Sequence, residues 1–185
     1  MNSLVIDTST TRTSCALFTG TTLRFEGHHD GAIEHAEALP QLVAKALEIE
    51  RVIDQVIVGM GPGPFTGLGV GIVFAQTFAG AREIPWIGVC SLDGIDVDSS
   101  NYIVATDARR KEVYWARYVE GERIEGPLVG KSQELMARSE KKFGFGFTQT
   151  LHPSPHLLLA KSLGMNIREP IYLRRPDALP TSERP

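Results

Sequence analysis

Two aspartates, Asp7 and Asp107, each follow a short apolar run and are each followed by a polar loop. A carboxylate at the end of a strand can hold a hydrated cation, while nearby hydroxyls and turn amides face a phosphate group. Thr8 and Ser9 supply hydroxyls after the first aspartate, whereas residues 109–111 after the second are all basic. This pattern predicts a nucleotide-type cleft between two loops. Both loops lack glycine, so a purely structural role as strand-end caps or turn formers is at least as well supported.

A loop rich in glycine and proline, residues 61–67, precedes an apolar stretch over residues 68–81 that we predict to be a helix. The loop lacks the Gly-Lys-Ser/Thr ending of a Walker loop, and its two prolines remove two amide donors. Gly67, Gly69 and Gly71 lie at the start of this helix, where each glycine costs about 1 kcal/mol relative to alanine. Close backbone packing would offset this cost. The packing element is either a strand of the same chain or a helix of a second chain, and the sequence leaves both open.

Histidines and cysteines are the next residues that could do chemistry. The histidines show no HExxH motif, and His152 and His156 flank a proline-rich segment that is typical of a loop. The two cysteines, Cys15 and Cys90, are not in a CxxC pair. No Ser-His-Asp or Cys-His arrangement can be placed from the spacing. We therefore assign no catalytic residue and expect no metal and no cofactor.

Apolar periodicity predicts the elements that position these loops. In the first half, strands are predicted over residues 3–6, 14–18, 23–26, 55–59 and 86–90, and helices over residues 33–47 and 68–81. The first three strands form an antiparallel meander and the later strands follow helices. This order indicates an α/β fold, a mixed sheet with helical crossovers. Pro40 lies within the first helical pattern, so this helix is expected to be kinked there or to begin late.

The second half of the chain repeats the beginning of the first half without a gap. Strands predicted over residues 102–106 and 113–119 again flank an aspartate and a polar loop, which suggests a duplicated strand–Asp–loop–strand unit. Short helices over residues 134–140 and 157–163 and a strand over residues 143–147 leave little room for more. We therefore predict two lobes, residues 1–100 and a shortened second lobe of residues 101–185.

Composition limits the classes of protein that fit. The 185 residues include 19 Lys and Arg against 22 Asp and Glu, for a net charge of −3, and 42% are hydrophobic. Such a chain can bury a core, which excludes a disordered protein. The acidic balance disfavours a dedicated nucleic-acid binder, because phosphate neutralisation needs a surplus of cations. No signal peptide precedes Asp7, and the most apolar stretch is shorter than the roughly 20 residues that span a bilayer. A cytoplasmic protein is expected.

Several motifs, in order along the chain, resemble the bacterial TsaB (YeaZ) family. They are DTST at residues 7–10, EHAEALP at 34–40, GPGPFTGLGVG at 61–71, IPWIGV at 84–89, DARR at 107–110 with EVYWA at 112–116, and PIYLRR at 170–175. The glycine-proline block is close to diagnostic of the family. Together the motifs cover most of the chain.

The resemblance implies an actin-like (ribonuclease H-like) fold that is duplicated, with a reduced second lobe. It also implies a non-catalytic dimerisation or scaffold subunit that binds and stabilises TsaD, the paralogue that adds threonylcarbamoyl to the adenosine next to the anticodon of tRNA. The resemblance further implies the ATPase TsaE as a third member of the assembly, a homodimer when the subunit is alone, and only indirect contact with tRNA. TsaD has a metal-binding histidine pair after the strand predicted here over residues 86–90. Ser91 and Ile95 occupy the two histidine positions in this chain.

In this family the two helices of the first lobe contact the partner. The candidate contact residues on these helices are Leu39, Leu42, Leu68, Gly71, Ile72 and Gln76. On this interpretation Asp7, Thr8, Ser9 and Asp107 form a vestigial nucleotide cleft. The alternative hypothesis is an actin-like phosphotransferase or a metal-dependent hydrolase that uses Asp7 and Asp107. The sequence leaves open whether the basic residues 109–111 contact tRNA.

Overall fold

A computed structural model describes residues 1–31 and 33–174 of the chain. Arg175, the last residue of the PIYLRR motif, and the rest of the second predicted lobe up to residue 185 lie outside the described residues. Within the described part of the chain, no helix combines the length and the apolar character needed to cross a membrane.

The first sheet has five strands in the order β3-β2-β1-β4-β5. Its strands are β1 (Asn2–Asp7), β2 (Arg12–Thr19), β3 (Thr22–Asp30), β4 (Gln55–Gly59) and β5 (Trp86–Val89). The first three strands pair antiparallel, whereas β4 lies parallel to β1 and β5 lies parallel to β4. The helices α1 (His35–Ile49) and α2 (Phe65–Arg82) lead into the two parallel strands. Parallel neighbours need such crossover connections, and the predicted meander followed by crossovers is confirmed.

The second sheet repeats the first four strands in the order β8-β7-β6-β9. Its strands are β6 (Asn101–Asp107), β7 (Glu112–Val119), β8 (Glu122–Lys131) and β9 (Lys141–Gly144), and its helices are α3 (Ser132–Leu135) and α4 (Pro155–Lys161). The antiparallel strands β6, β7 and β8 are again followed by a parallel partner of β6. Among the described residues this sheet has no fifth strand. The predicted duplication with a reduced second copy is therefore confirmed, whereas the lobe boundary at residue 100 stays a prediction.

The side chains of β1 alternate between the two faces of the first sheet. Leu4 and Ile6 belong to the apolar cluster formed with α1 and α2, whereas Val5 belongs to a cluster on the opposite face with Leu158 of α4. All three β1 side chains are at most 1% exposed. Helices cover this strand on both faces, which explains why its sequence is a continuous apolar run rather than an alternating one.

Helix α1 begins at His35 and contains Pro40, so the predicted alternative of a late start is wrong, and the alternative of a kink at Pro40 stays a prediction. Proline lacks a backbone N–H and therefore forfeits one helical hydrogen bond, to the carbonyl of Ala36. The helix nevertheless buries an apolar stripe against the first sheet, which includes Leu39 and Val43. Tertiary packing of such a face supplies most of the stability of a helix in a protein, and it outweighs the missing hydrogen bond here.

Candidate functional site

Asp7, the last residue of β1, has hydrogen bonds on both carboxylate oxygens. Its Oδ1 accepts from the backbone N–H of Ser9 at 2.9 Å and from the Ser9 hydroxyl at 2.7 Å, and its Oδ2 accepts from the Ser91 hydroxyl at 2.7 Å. The residue is 1% exposed. Burial raises the pKa of Asp7, while the hydrogen bonds from Ser91 and Ser9 partly oppose that rise. Asp7 therefore joins β1 to the turn after β5.

Ser91, the first residue of the 3-10 turn Ser91–Gly94, completes this junction. Its Oγ donates to Asp7 and accepts from the backbone N–H of Gly61 at 3.0 Å, and its own N–H donates to the Gly61 carbonyl at 2.7 Å. The Ser91 side chain thus links the glycine-proline loop to β1. Sequence patterns did not predict this contact, because 84 positions separate Ser91 from Asp7. Ile95, the other residue that the resemblance assigned to a histidine position, is buried in an apolar cluster.

Thr8 fixes the beginning of α2. Its Oγ1 donates to the carbonyl of Gly67 at 2.8 Å and accepts from the N–H of Gly71 at 3.1 Å. A Cβ on Gly71 would lie 2.4 Å from this hydroxyl oxygen, and a Cβ on Gly67 would lie 3.1 Å from the ring of His35. A Cβ on Gly69 would meet nothing within 4 Å. Gly67 and Gly71 therefore pack closely against residues of the same chain. The sequence had left open whether the same chain or a second chain approaches these glycines.

A small cavity of about 80 Å³ lies between the two aspartate loops. Its lining residues are Thr10, Thr11, Pro64, Thr106, Asp107, Arg109, Phe145, Thr150 and Leu151. Asp107 accepts a hydrogen bond from the backbone N–H of Arg109 at 2.7 Å. Asp107 lines this cavity, whereas Asp7 is not among its lining residues. Pockets for small ligands usually hold about 300–1,000 Å³. The vestigial nucleotide cleft stays a prediction.

The HxxxH pair His152 and His156 does not converge on one site. The Nδ1 of His152 lies 2.7 Å from the hydroxyl of Thr10, whereas the ring of His156 packs edge-on against Phe18. Across residues 1–31 and 33–174, no three His, Cys, Asp or Glu side chains come together as metal ligands.

The predicted partner-contact residues divide between core and surface. Leu39, Leu42, Leu68 and Ile72 are at most 7% exposed and belong to the apolar cluster between the helices and the first sheet. Gly71 packs against Thr8, and Gln76 is exposed. The expectation that the four apolar side chains face a partner therefore needs correction, because they form the core of this chain. Other residues form the outer surface of the two helices.

This outer surface contains an apolar groove of about 510 Å³ between α1 and α2, here called the helix groove. It is lined by Ala36, Pro40, Val70, Val73, Phe74, Thr77, Phe78 and Ala81. Val73 is 62% exposed, and the rings of Phe74 and Phe78 stack with their centroids 5.9 Å apart. A surface helix usually presents polar residues to solvent, whereas α2 is apolar on its inner and outer faces. Large contiguous exposed apolar surfaces are typical of interaction sites, so the helix groove is a candidate for one.

Comparisons with known proteins identify the family. Residues 30–149 match the family model described as TsaD: tRNA N6-adenosine threonylcarbamoyltransferase. An uncharacterized protein of Mycobacterium tuberculosis is 39% identical over 167 residues, which cover 79% of this chain and 78% of that protein. The tRNA threonylcarbamoyladenosine biosynthesis protein TsaB of Escherichia coli is 32% identical over 151 residues, which cover 76% of this chain and 64% of that protein. The chain belongs to the TsaB (YeaZ) family.

Solved structures show the same fold as this TsaB-family chain. A Pseudomonas aeruginosa protein with similarity to peptidase YeaZ superposes with a TM-score of 0.78 at 25% identity, over 94% of this chain and 99% of that one. YeaZ from Pseudomonas aeruginosa superposes with a TM-score of 0.69 at 26% identity, over 87% and 90% of the two chains. The predicted actin-like (ribonuclease H-like) fold is thus confirmed. The chain spans 56% of the length of an uncharacterized Mycobacterium leprae relative to which it is 38% identical over 205 residues.

Proposed function

We propose that this chain is a non-catalytic subunit that binds and stabilises a TsaD-type partner in the addition of threonylcarbamoyl to the adenosine next to the anticodon of tRNA. The observation that supports this proposal most strongly is the helix groove, an apolar surface of about 510 Å³ formed by α1 and α2. The relative from Escherichia coli is named for tRNA threonylcarbamoyladenosine biosynthesis, and the matching family model is that of TsaD. The proposed site of action is the cytoplasm, with the ATPase TsaE as a third member of the assembly.

The helix groove offers side chains whose burial would stabilise a complex. Val73 is 62% exposed, and Phe74 beside it is half-buried. Full burial of such a side chain contributes roughly 1.5–3 kcal/mol relative to leaving it exposed. A specific interface buries about 1,600 Å² in total. The groove would form the apolar centre of such an interface, and exposed polar residues beside it, such as Gln76, would form its rim.

A TsaD-type chain fits the groove because it shares the fold of this one. Residues 30–149, which include both α1 and α2, match the TsaD family model. A partner with the same fold would present an equivalent pair of helices, so the two pairs can pack face to face around a pseudo-twofold axis. The same geometry allows two copies of this chain to form a homodimer when the partner is absent.

The environment of the two aspartates supports a role without catalysis by this chain alone. Both oxygens of Asp7 already accept hydrogen bonds, and the residue is 1% exposed. A general base must lie within hydrogen-bond reach of its substrate. Asp107 lines a cavity of only about 80 Å³. A phosphotransferase or metal-dependent hydrolase that uses Asp7 and Asp107 is therefore less well supported by the geometry.

Two valines of matched exposure allow a sharp test of docking. Val73 in the helix groove is 62% exposed, and Val52 in the segment after α1 is 64% exposed. We expect Val73→Lys to weaken the complex with the purified TsaD-type paralogue of the same organism by at least about tenfold, since a charge replaces a buried apolar contact. Val52→Lys should leave the complex intact. Size-exclusion chromatography and titration calorimetry measure both.

The results of these binding measurements distinguish an incorrect docking site from an incorrect proposed function. Lysine favours helix more than valine does, so the Val73→Lys chain alone should unfold at a temperature no lower than that of the wild type. A complex that withstands Val73→Lys, or that Val52→Lys weakens equally, would contradict docking at the helix groove. Failure of the wild-type chain to bind the paralogue at all would contradict the proposed function. ATP hydrolysis by the chain alone that is lost in Asp107→Asn would favour the alternative enzyme.

A further inference from the structure

The turn between β6 and β7 is basic and strained. Arg109, Arg110 and Lys111, here called the basic turn, are exposed and have φ angles of 64°, 52° and 64°. Residues other than glycine seldom adopt this left-handed region, and each one there costs free energy. Backbone hydrogen bonds from Ala108 N–H to the Glu112 carbonyl and from Glu112 N–H to the Arg109 carbonyl, both 3.0 Å, close the turn. Strained backbone of this kind is concentrated at functional sites.

Phe65 and Tyr172 form an exposed aromatic pair. Their ring centroids are 4.8 Å apart with an interplanar angle of 39°, and the residues are 52% and 39% exposed. Phe65 is the first residue of α2, and Tyr172 lies in the segment that follows α4. The pair therefore offers aromatic faces to a ligand without any rearrangement of the core.

Two observations place the aromatic pair beside the basic turn. Arg174, two residues after Tyr172, donates from its Nη1 to the carbonyl of Ala108 at 2.8 Å, and Ala108 immediately precedes the basic turn. Pro64, adjacent to Phe65, lines the same small cavity as Arg109. The aromatic pair and the basic turn thus flank one edge of the cleft between the two sheets.

Acidic groups close to the basic turn have cationic partners. Asp107 lies 3.5 Å from the guanidinium of Arg109, and Glu112 forms an ion pair with Arg174. Within the described part of the chain, Arg109, Lys111 and Arg174 outnumber these two carboxylates. The local charge is therefore positive, although the whole chain has a net charge of −3. Such a patch can hold a few phosphates, whereas long-range attraction of a whole nucleic acid would need a larger surplus of cations.

We propose that the basic turn and the aromatic pair together bind a single-stranded segment of RNA. Arg109 and Lys111 would contact phosphates, and a base would stack on the exposed face of Phe65 or Tyr172. Cations beside aromatic faces are the usual means by which proteins hold unpaired nucleotides. RNA is chosen over an acidic peptide because the inference rests on the proposed function, whose substrate is tRNA. Such a contact would be direct, whereas the resemblance implied only an indirect contact and the sequence left the role of residues 109–111 open.

Fluorescence anisotropy of a fluorescein-labelled anticodon stem-loop RNA, titrated with the full chain, tests this proposal. Arg109→Gln combined with Lys111→Gln removes two charges but keeps long polar side chains. We expect about a tenfold loss of affinity at 50 mM salt, and a salt dependence that is shallower by about 0.7 for each phosphate that the variant no longer neutralises, measured up to about 200 mM. Tyr172→Leu keeps an apolar neighbour for Phe65 but removes an aromatic face. It should weaken binding by about five- to tenfold without changing the salt dependence.

The matched control removes the same charge from a distant surface. Lys45 and Arg51 are exposed, on α1 and in the segment after it. That segment contacts Asn2 through the Val52 carbonyl, at the end of β1 opposite to Asp7. Lys45→Gln combined with Arg51→Gln should therefore leave RNA affinity unchanged, and all variants should keep the thermal unfolding midpoint of the wild type.

Any one of several results would overturn the proposal. The first four are no binding of the stem-loop by the wild type, no weakening in the basic-turn or Tyr172 variants, an equal weakening in the control, and equal binding of a loop-free RNA duplex. Displacement of the stem-loop by polyglutamate at equal charge concentration would also overturn it, in favour of an acidic peptide. Complex formation with the TsaD-type paralogue is measured separately. A chain that forms the complex but shows no RNA binding dependent on these residues overturns this inference and leaves the proposed function standing.

Discussion

Asp7 lies at the end of β1 among three segments that are distant in the sequence. Asp7 accepts hydrogen bonds from Ser9 and Ser91. A Cβ placed on Gly59 would lie 1.8 Å from Asp7 Oδ2, so the backbone of β4 also packs tightly against the carboxylate. Burial penalises the charged form and raises the pKa of Asp7. A strand-end aspartate in such surroundings positions the loops around it.

We expect the stability of the fold to depend on the protonation state of Asp7. Because the pKa of Asp7 is higher in the folded chain than in the unfolded chain, the folded state binds this proton more tightly. The stabilising contribution of this group is therefore present at low pH and is lost as the pH rises through the folded-state pKa. The Asp7→Asn variant lacks this titrating group. When the pH is lowered from about 7 to about 4.5, the free energy of unfolding of the wild type should therefore increase relative to that of the variant.

Urea denaturation of both proteins at the two pH values measures this difference. Asp98→Asn, which removes an exposed carboxylate, controls for the change in net charge. The same pH dependence in Asp7→Asn and in the wild type would show that Asp7 does not titrate differently on folding.

Helix α2 illustrates how far the sequence predicts this fold. The apolar stretch over residues 68–81 predicted the helix, which is observed as Phe65–Arg82, and strand ends were predicted correctly at Asp7 and Asp107. The pattern did not identify the outward face of α2, because apolar side chains lie on both faces. Ile72 is 4% exposed in the core, and its neighbour Val73 is 62% exposed in the helix groove. The groove is recognisable only once the helix has been placed against the sheet.

Contacts between distant residues are the other part that the sequence did not predict. The bond from Ser91 to Asp7 and the bond from Thr8 to Gly67 join residues 84 and 59 positions apart. Periodicity within one element gives no information on such contacts, because they depend on how the elements pack. The glycines of α2 indicated that something approaches the helix closely, but the sequence did not show that it is Thr8.

Two glycines of α2 make a matched pair for a prediction about this element. Gly71→Ala should destabilise the chain by about 1–3 kcal/mol, because its Cβ would lie 2.4 Å from Thr8 Oγ1 and displace a buried hydrogen bond. Gly69→Ala, with nothing within 4 Å of its Cβ, should stabilise the chain by about 0.5–1 kcal/mol through helix propensity. Urea denaturation of both variants measures the difference. Equal effects at the two positions would refute a packing role for Gly71.

The two sheets are joined by a buried polar cluster of Asp93, Tyr118 and Arg123. Asp93 lies in the turn after β5 and is 5% exposed, and it accepts from the Tyr118 hydroxyl at 2.7 Å and from Arg123 Nε at 2.8 Å. Burial and the neighbouring Asp93 carboxylate raise the pKa of Tyr118, so its hydroxyl stays protonated as the donor. The cluster thus links the turn after β5, the last strand of the first sheet, to strands β7 and β8 of the second sheet.

This coupling predicts a large effect of Arg123→Met. The substitution leaves the Asp93 carboxylate buried without its cation, and we expect it to lower the free energy of unfolding by about 3–5 kcal/mol. Lys161→Met, which breaks an ion pair with the 81% exposed side chain of Glu122, should cost no more than about 1 kcal/mol. Adding Asp93→Asn to Arg123→Met should restore part of the stability, because the buried charge is then removed as well. Strictly additive destabilisation in the double variant, measured by urea denaturation, would show that an uncompensated carboxylate is not what couples the two sheets.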